Sequence, residues 1–211
     1  MGNDVVDLLS PYVKGKSGDR KFVQRVLTPR EHQALLKYDA PDNLLQIYWA
    51  AKETAYKVIL KSCPDVSSAP RQYNVYLDTP ENGRDFQGWV HTPRRIVHIT
   101  ARQNKDFVHC VGAEACMIKK TVIHCVENIS HRIEPDVCRY SDVESRMVRT
   151  SAKRKIASIL SVSEHDITIT NVHHENGRLF PAVDIRREKT GISISMSHDG
   201  RFIAYAFLIQ S

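Results

Sequence analysis

The sequence predicts an α+β fold of two similar halves related by a pseudo-twofold axis, each a long helix packed on a small antiparallel sheet. Three observations predict it. First, apolar-periodic stretches without glycine or proline run over 44–60 and 142–162, the patterning of long helices. Second, each is followed by short alternating runs bounded by turn residues, the patterning of hairpins. Third, Glu81-Asn82-Gly83-Arg84 with Phe86 returns as Glu175-Asn176-Gly177-Arg178 with Phe180, and Lys105-Asp106-Phe107-Val108 matches Gly200-Arg201-Phe202-Ile203. Two matches in one order at a nearly constant offset favour duplication. The halves then fall at 1–120 and 121–211, and a cleft is expected where they meet.

In chain order, residues 1–8 begin with a β-prone run that has Asp4 and Asp7 at its ends. The polar, basic stretch 10–22 reads as a loop. Thr28-Pro29-Arg30-Glu31 is a helix start, with threonine as cap, proline at the first position and glutamate three after the cap. Asp39-Ala40-Pro41-Asp42 breaks the chain before the 44–60 helix, and 63–70 is a loop. Strands are expected over 72–78, 86–92, 95–101 and 107–115, with a turn at 81–84. Residues 117–142 carry no clear period and hold the boundary between halves. The 142–162 helix follows, then strands at 166–172, 191–197 and 201–209, with a turn at 175–178.

Composition narrows the function. With 211 residues, 42% hydrophobic and 26% charged, the chain reads as an ordinary globular protein. No apolar run approaches ~18 residues and no signal peptide is recognisable, so no membrane role is expected. Five cysteines, scattered and without a Cys-x-x-Cys pair, point to a reduced, cytoplasmic protein and away from structural zinc. A net charge of +6 suits an anionic partner. No helix-turn-helix or zinc finger is recognisable, which argues against nucleic acid.

The most informative stretch is Trp49-Ala50-Ala51-Lys52-Glu53-Thr54-Ala55-Tyr56-Lys57. Glu53 and Lys57 are neighbours on one helical face. They read either as a surface ion pair worth a few tenths of a kcal/mol or as a metal-binding carboxylate beside a phosphate-handling lysine. The second long helix shows no acidic equivalent, but its half carries Ser197-His198-Asp199-Gly200-Arg201. Each half thus has what the other lacks.

These motifs resemble the 4′-phosphopantetheinyl transferase superfamily. Gly2-Asn3-Asp4-Val5-Val6-Asp7 is similar to its Gly-x-Asp strand, and residues 49–57 to its Trp-x-x-Lys-Glu-Ala…Lys helix. The 195–207 stretch is similar to its Ser-His turn, and Gly177-Arg178-Leu179-Phe180-Pro181 to its Gly-Lys-Pro turn. The order resembles two fused units of the short, carrier-protein-synthase type. Thr54 stands where the family has alanine, and Arg178 where lysine is common.

The resemblance implies transfer of 4′-phosphopantetheine from coenzyme A to a serine of an acidic acyl or peptidyl carrier protein, with release of adenosine 3′,5′-bisphosphate. It implies Mg²⁺ on Asp4 and Glu53, Glu53 as the base, and Lys57 on the leaving phosphate. Ser197, His198 and Arg178 become coenzyme A ligands by motif. Lys153, Arg149 and Arg146 on the second long helix are further basic candidates, and Arg25 matches a position that either packs or meets phosphate. A duplicated chain can supply a whole site as a monomer. Two other classes remain open: a non-catalytic coenzyme A or carrier-protein binding module, and a basic polyphosphate or nucleic-acid binder.

Overall fold

The structure, a computed structural model, describes residues 1–78, 84–114, 122–132, 140–174 and 177–209. The expected 120/121 boundary, residues 81–83 of the first turn and residues 175–176 of the second lie outside them.

The first part of the chain builds one five-stranded antiparallel sheet in the order β1-β5-β4-β3-β2. Its strands are β1 (Gly2–Asp7), β2 (Asn74–Leu77), β3 (Asp85–His91), β4 (Ile96–Gln103) and β5 (Phe107–Glu114). Alternation shows which face is covered. Phe86 and Val90 of β3, Val97, Ile99 and Ala101 of β4, and Val108 and Cys110 of β5 are buried against α3 (Pro41–Leu60). Ala50, Ala51, Ala55 and Ile59 of α3 are fully buried in the same core. Close approach depends on two glycines. A Cβ on Gly2 would lie 2.3 Å from the Thr54 carbonyl oxygen, and one on Gly112 2.8 Å from Thr54 Cγ2. Thr54, the departure from the family's alanine, is buried with its hydroxyl donating to the Cys110 carbonyl at 3.2 Å, so its extra oxygen is satisfied.

Two short helices precede α3. α1 (Arg20–Val26) starts where the sequence reads as loop, because Asp19 caps it by accepting from Phe22 N at 3.0 Å. α2 (Pro29–Leu35) has the expected capping box: Thr28 Oγ1 accepts from Glu31 N and Glu31 Oε2 from Thr28 N. The glutamate also accepts from Lys52 Nζ at 2.7 Å and Val75 N at 2.8 Å. This buried carboxylate thereby joins α2, α3 and β2. Pro41 opens α3 instead of breaking the chain before it, as its preset φ and missing N–H allow at a first helical position.

The second part places α4 (Tyr140–Leu160) against a three-stranded sheet, β6 (Ile123–Asn128), β11 (Phe202–Ile209) and β10 (Ile192–Asp199), in that order. A second small sheet, β7 (Ile167–His173), β8 (Leu179–Ile185) and β9 (Glu188–Lys189), packs beside it through β8 and β10. The single sheet expected for this half is thus split. β6 lies where no period is readable, and β8 runs through Pro181 in a stretch read as a turn followed by the Gly-Arg-Leu-Phe-Pro motif.

The two parts meet along β1, every residue of which is buried. One edge of β1 pairs with β5. The other is satisfied by side chains of β10: Ser195 Oγ accepts from Asn3 N at 2.9 Å, and Asp199 Oδ2 from Asp7 N at 2.8 Å. The alternation Ile-Ser-Ile-Ser-Met-Ser-His-Asp puts these oxygens on one face of β10, while Ile192, Ile194 and Met196 enter the core under α4. Two small apolar clusters seal the joint, one of Met1, Ala113, Ala206 and Leu208, the other of Val5, Phe202 and Ala204.

Candidate functional site

Asp4 lies in the middle of β1, not at its end, and it points to α3. Lys57 Nζ reaches Asp4 Oδ1 at 2.7 Å and the Asn3 carbonyl at 3.0 Å. The lysine therefore pairs across the sheet-helix boundary and not with Glu53 on its own helix. Glu53, half-buried one turn earlier, makes no ion pair or side-chain hydrogen bond among the described residues. Both carboxyls are held above their ordinary values. Burial raises Asp4 against the pull of Lys57. Burial, reinforced by the charge on Asp4, pushes Glu53 up to about 6.

The second part brings His198 to this joint from β10. Its Nδ1 lies 2.9 Å from Glu144 Oε2 on α4, and its charge acts on Asp4. Burial also raises the Glu144 and Asp199 carboxyls. A chain of net charge +6 thus gathers four desolvated carboxyls, Asp4, Glu53, Glu144 and Asp199, around one seam. Such a set is a functional-site signature.

Asp7 closes the far end of the seam. Arg201 holds it with two side-chain bonds, Nε to Oδ2 at 2.9 Å and Nη2 to Oδ1 at 2.7 Å, and with its backbone N–H at 3.0 Å. Burial would raise this carboxyl, but the Arg201 bonds outweigh it and keep Asp7 below the usual aspartate value. Gly200 makes that turn at φ 51°, where a Cβ would meet Asp7 Oδ2 at 2.7 Å.

The other expected residues divide. Arg178 crosses between the parts, donating to the Val66 carbonyl and lying over the Tyr56 ring at 5.9 Å, beside Lys57 in sequence. Ser197 is buried, facing Asn3 Nδ2 at 3.3 Å, so it ties the joint together. Arg149 is occupied elsewhere, by Ser145 and by Asn171 Oδ1 at 3.0 Å. Lys153 and the exposed Arg146 sit on α4 without a side-chain partner at the seam. Arg25 stacks over Phe22 at 5.4 Å, and Phe22 packs on Trp49, which shares the α3 face with Glu53. The second long helix has no acidic equivalent of Glu53, but it brings Glu144 to the seam, a residue the sequence reading did not single out.

Two adjacent carboxylates, one without a partner and both desolvated, fit a hard divalent cation, which relieves their repulsion and takes oxygen ligands. No group of three or more His, Cys, Asp or Glu positioned for a metal occurs among the described residues. No described helix is long and apolar enough to cross a membrane. Cys63, Cys110 and Cys125 are free thiols.

A comparison with curated proteins gives no match. A family model for the 4′-phosphopantetheinyl transferase superfamily matches residues 1–110, the stretch that carries Asp4, Glu53 and Lys57. With more than half its length matched and these residues assembled at one seam, the chain belongs to the 4′-phosphopantetheinyl transferase superfamily.

Proposed function

We propose that the protein transfers 4′-phosphopantetheine from coenzyme A to a serine hydroxyl of an apo carrier protein, with Mg²⁺ held by Asp4 and Glu53. The observation that carries this is the unpaired, desolvated Glu53 carboxylate beside Asp4 and Lys57. Glu53, directly or through a water, takes the serine proton. The serine oxygen bonds to the pantetheine-side phosphorus, and the bridging P–O bond of the diphosphate breaks, releasing adenosine 3′,5′-bisphosphate. Lys57 shares its charge between Asp4 and the departing phosphate. A bound magnesium ion would supply further neutralisation of the diphosphate. His198 and Arg178 anchor phosphates of coenzyme A; Ser197, Arg149 and Lys153 drop to supporting roles.

The partner is an acidic carrier protein. Exposed Leu9 and Tyr12 lie among Lys14, Lys16, Arg20, Lys21 and Arg25 in the segment that follows β1, which suits an acidic surface with an apolar centre. Duplication of halves 1–120 and 121–211, acting as a monomer, is supported by strand order: β1-β5-β4-β3 has its counterpart in β6-β11-β10 with β8 alongside. The free thiols are in keeping with a reducing, cytoplasmic setting. A retired binding module would not need to keep an unrelieved carboxylate pair.

The test is the intact mass of an apo acyl carrier protein after incubation with this protein, coenzyme A and Mg²⁺, with and without chelator. A gain of one phosphopantetheine that the chelator abolishes is expected. No gain across fatty-acid, polyketide and peptide carriers, with coenzyme A binding verified, would overturn the catalytic reading.

A further inference from the structure

The two nitrogens of His198 meet different surroundings. Nδ1 lies 2.9 Å from a carboxylate oxygen of Glu144. Nε2 has no hydrogen-bond partner among the described residues, on a side chain that is 32% exposed. Glu144 is 6% exposed, sits in the first turns of α4, and makes no other ion pair among the described residues. Burial disfavours its charge, so its placement is unfavourable unless the imidazole compensates. Asp4 and Asp199 are the other carboxyls acting on the ring.

We propose that Glu144 is a positioning residue for the transfer: it holds His198 through Nδ1 so that Nε2 is presented to a phosphate of coenzyme A. The proposal rests on the reading of His198 as a coenzyme A ligand. An unrestrained imidazole turns about its χ2 bond and offers either nitrogen. A carboxylate on Nδ1 fixes both ring orientation and proton placement, as such partners do for functional histidines elsewhere. Between a carboxylate and a phosphate oxygen, both ring nitrogens must donate, so the bound ring carries both protons. Those bonds are charge-assisted, which makes the alignment of the ring matter.

The experiment is a double-mutant cycle on the full chain, with coenzyme A varied at saturating apo carrier protein. H198A is expected to raise KM for coenzyme A. E144A is expected to raise it about tenfold, the lower end of what a charge-assisted hydrogen bond contributes, with kcat changed much less. E144Q, whose amide oxygen can still accept from Nδ1, should keep most of the affinity. The double variant should be no worse than H198A, because Glu144 acts only through the ring. Histidine side-chain ¹⁵N NMR, assigned with H198A, should show a hydrogen-bonded Nδ1–H in wild type that E144A loses. If H198A raises KM and E144A, folded by circular dichroism, does not, the positioning role is overturned. Should E144A fail to fold, E144Q with NMR decides: a lost Nδ1–H signal with unchanged KM overturns it equally. An H198A enzyme with unchanged KM would sink the reading of His198 itself, and this proposal with it.

Discussion

Replacing Glu53 with glutamine should abolish transfer and, in metal-free protein, make the fold more stable. Burial and the charge of Asp4 push this carboxyl from 4.5 to about 6. At 1.36 kcal/mol per pH unit, holding it ionised costs the folded state up to about 2 kcal/mol. The sign follows from linkage. A folded-state value above the unfolded one means relative stability is full below pH 4.5, declines as pH rises to about 6, and stays reduced above. Glutamine mimics the protonated form. Its advantage should therefore be absent at pH 4 and reach about 2 kcal/mol at pH 8. For a chain of this size that is a melting shift of roughly 4–8 °C. Urea or thermal unfolding with chelator present, at both pH values, measures it. Added Mg²⁺ should stabilise wild type and leave the variant largely unchanged. A metal-free E53Q protein no more stable than wild type at pH 8 would refute the argument that this pair is strained for want of a cation. Retained transfer would refute Glu53 as the base.

Two further outcomes follow from other carboxylates. R201A leaves buried Asp7 with fewer donors and should cost about 2–3 kcal/mol at pH 7 by urea unfolding. Because Asp7 sits below its usual value, its contribution is present above the unfolded aspartate value and lost as pH falls through the folded one; the gap between R201A and wild type should close in acid. K52M strands Glu31, whose side chain is fully buried, with only backbone donors. It should cost about 3–5 kcal/mol, read as a lower denaturation midpoint.

Much of the fold was legible because its elements obey a single period. The alternations of β3 and β4 each bury one face, and α3 carries a buried stripe. What was not legible lacked such a face. β6, Ile123–Asn128, is nowhere fully buried, so nothing in its sequence marks an inside; its pairing with β11 makes it a strand. β8 admits Pro181 opposite Asn171, and proline in a sequence argues against a strand interior. α1 is mostly polar and depends on one cap, Asp19. The site divides the same way. Asp4, Glu53 and Lys57 were legible as a constellation, but the pairing was not: spacing made Lys57 a neighbour of Glu53, and the fold gives it to Asp4. Glu144 was invisible because its partner arrives from another strand. Arg149 looked like a ligand because a basic helix face has no sequence mark separating Asn171 from a phosphate.

The chemistry on the first half's motifs depends on the second half in a way that motif positions do not express. Asp4 and Glu53 are perturbed because they are desolvated, and Asp4 is desolvated because β1 is buried. A strand with one free edge would ordinarily expose that edge to water. Here Ser195 and Asp199 supply oxygens to the Asn3 and Asp7 N–H groups, and Arg201 neutralises Asp7. β10 thus contributes the dry surroundings of Asp4 as well as His198. Detached from that surface, residues 1–110 would keep all three motif residues, yet Asp4 would sit on a wet edge strand, with less repulsion for a metal ion to relieve. The second part is accordingly part of the electrostatics of the candidate site, and burial holds the Asp4 carboxyl above its ordinary value there.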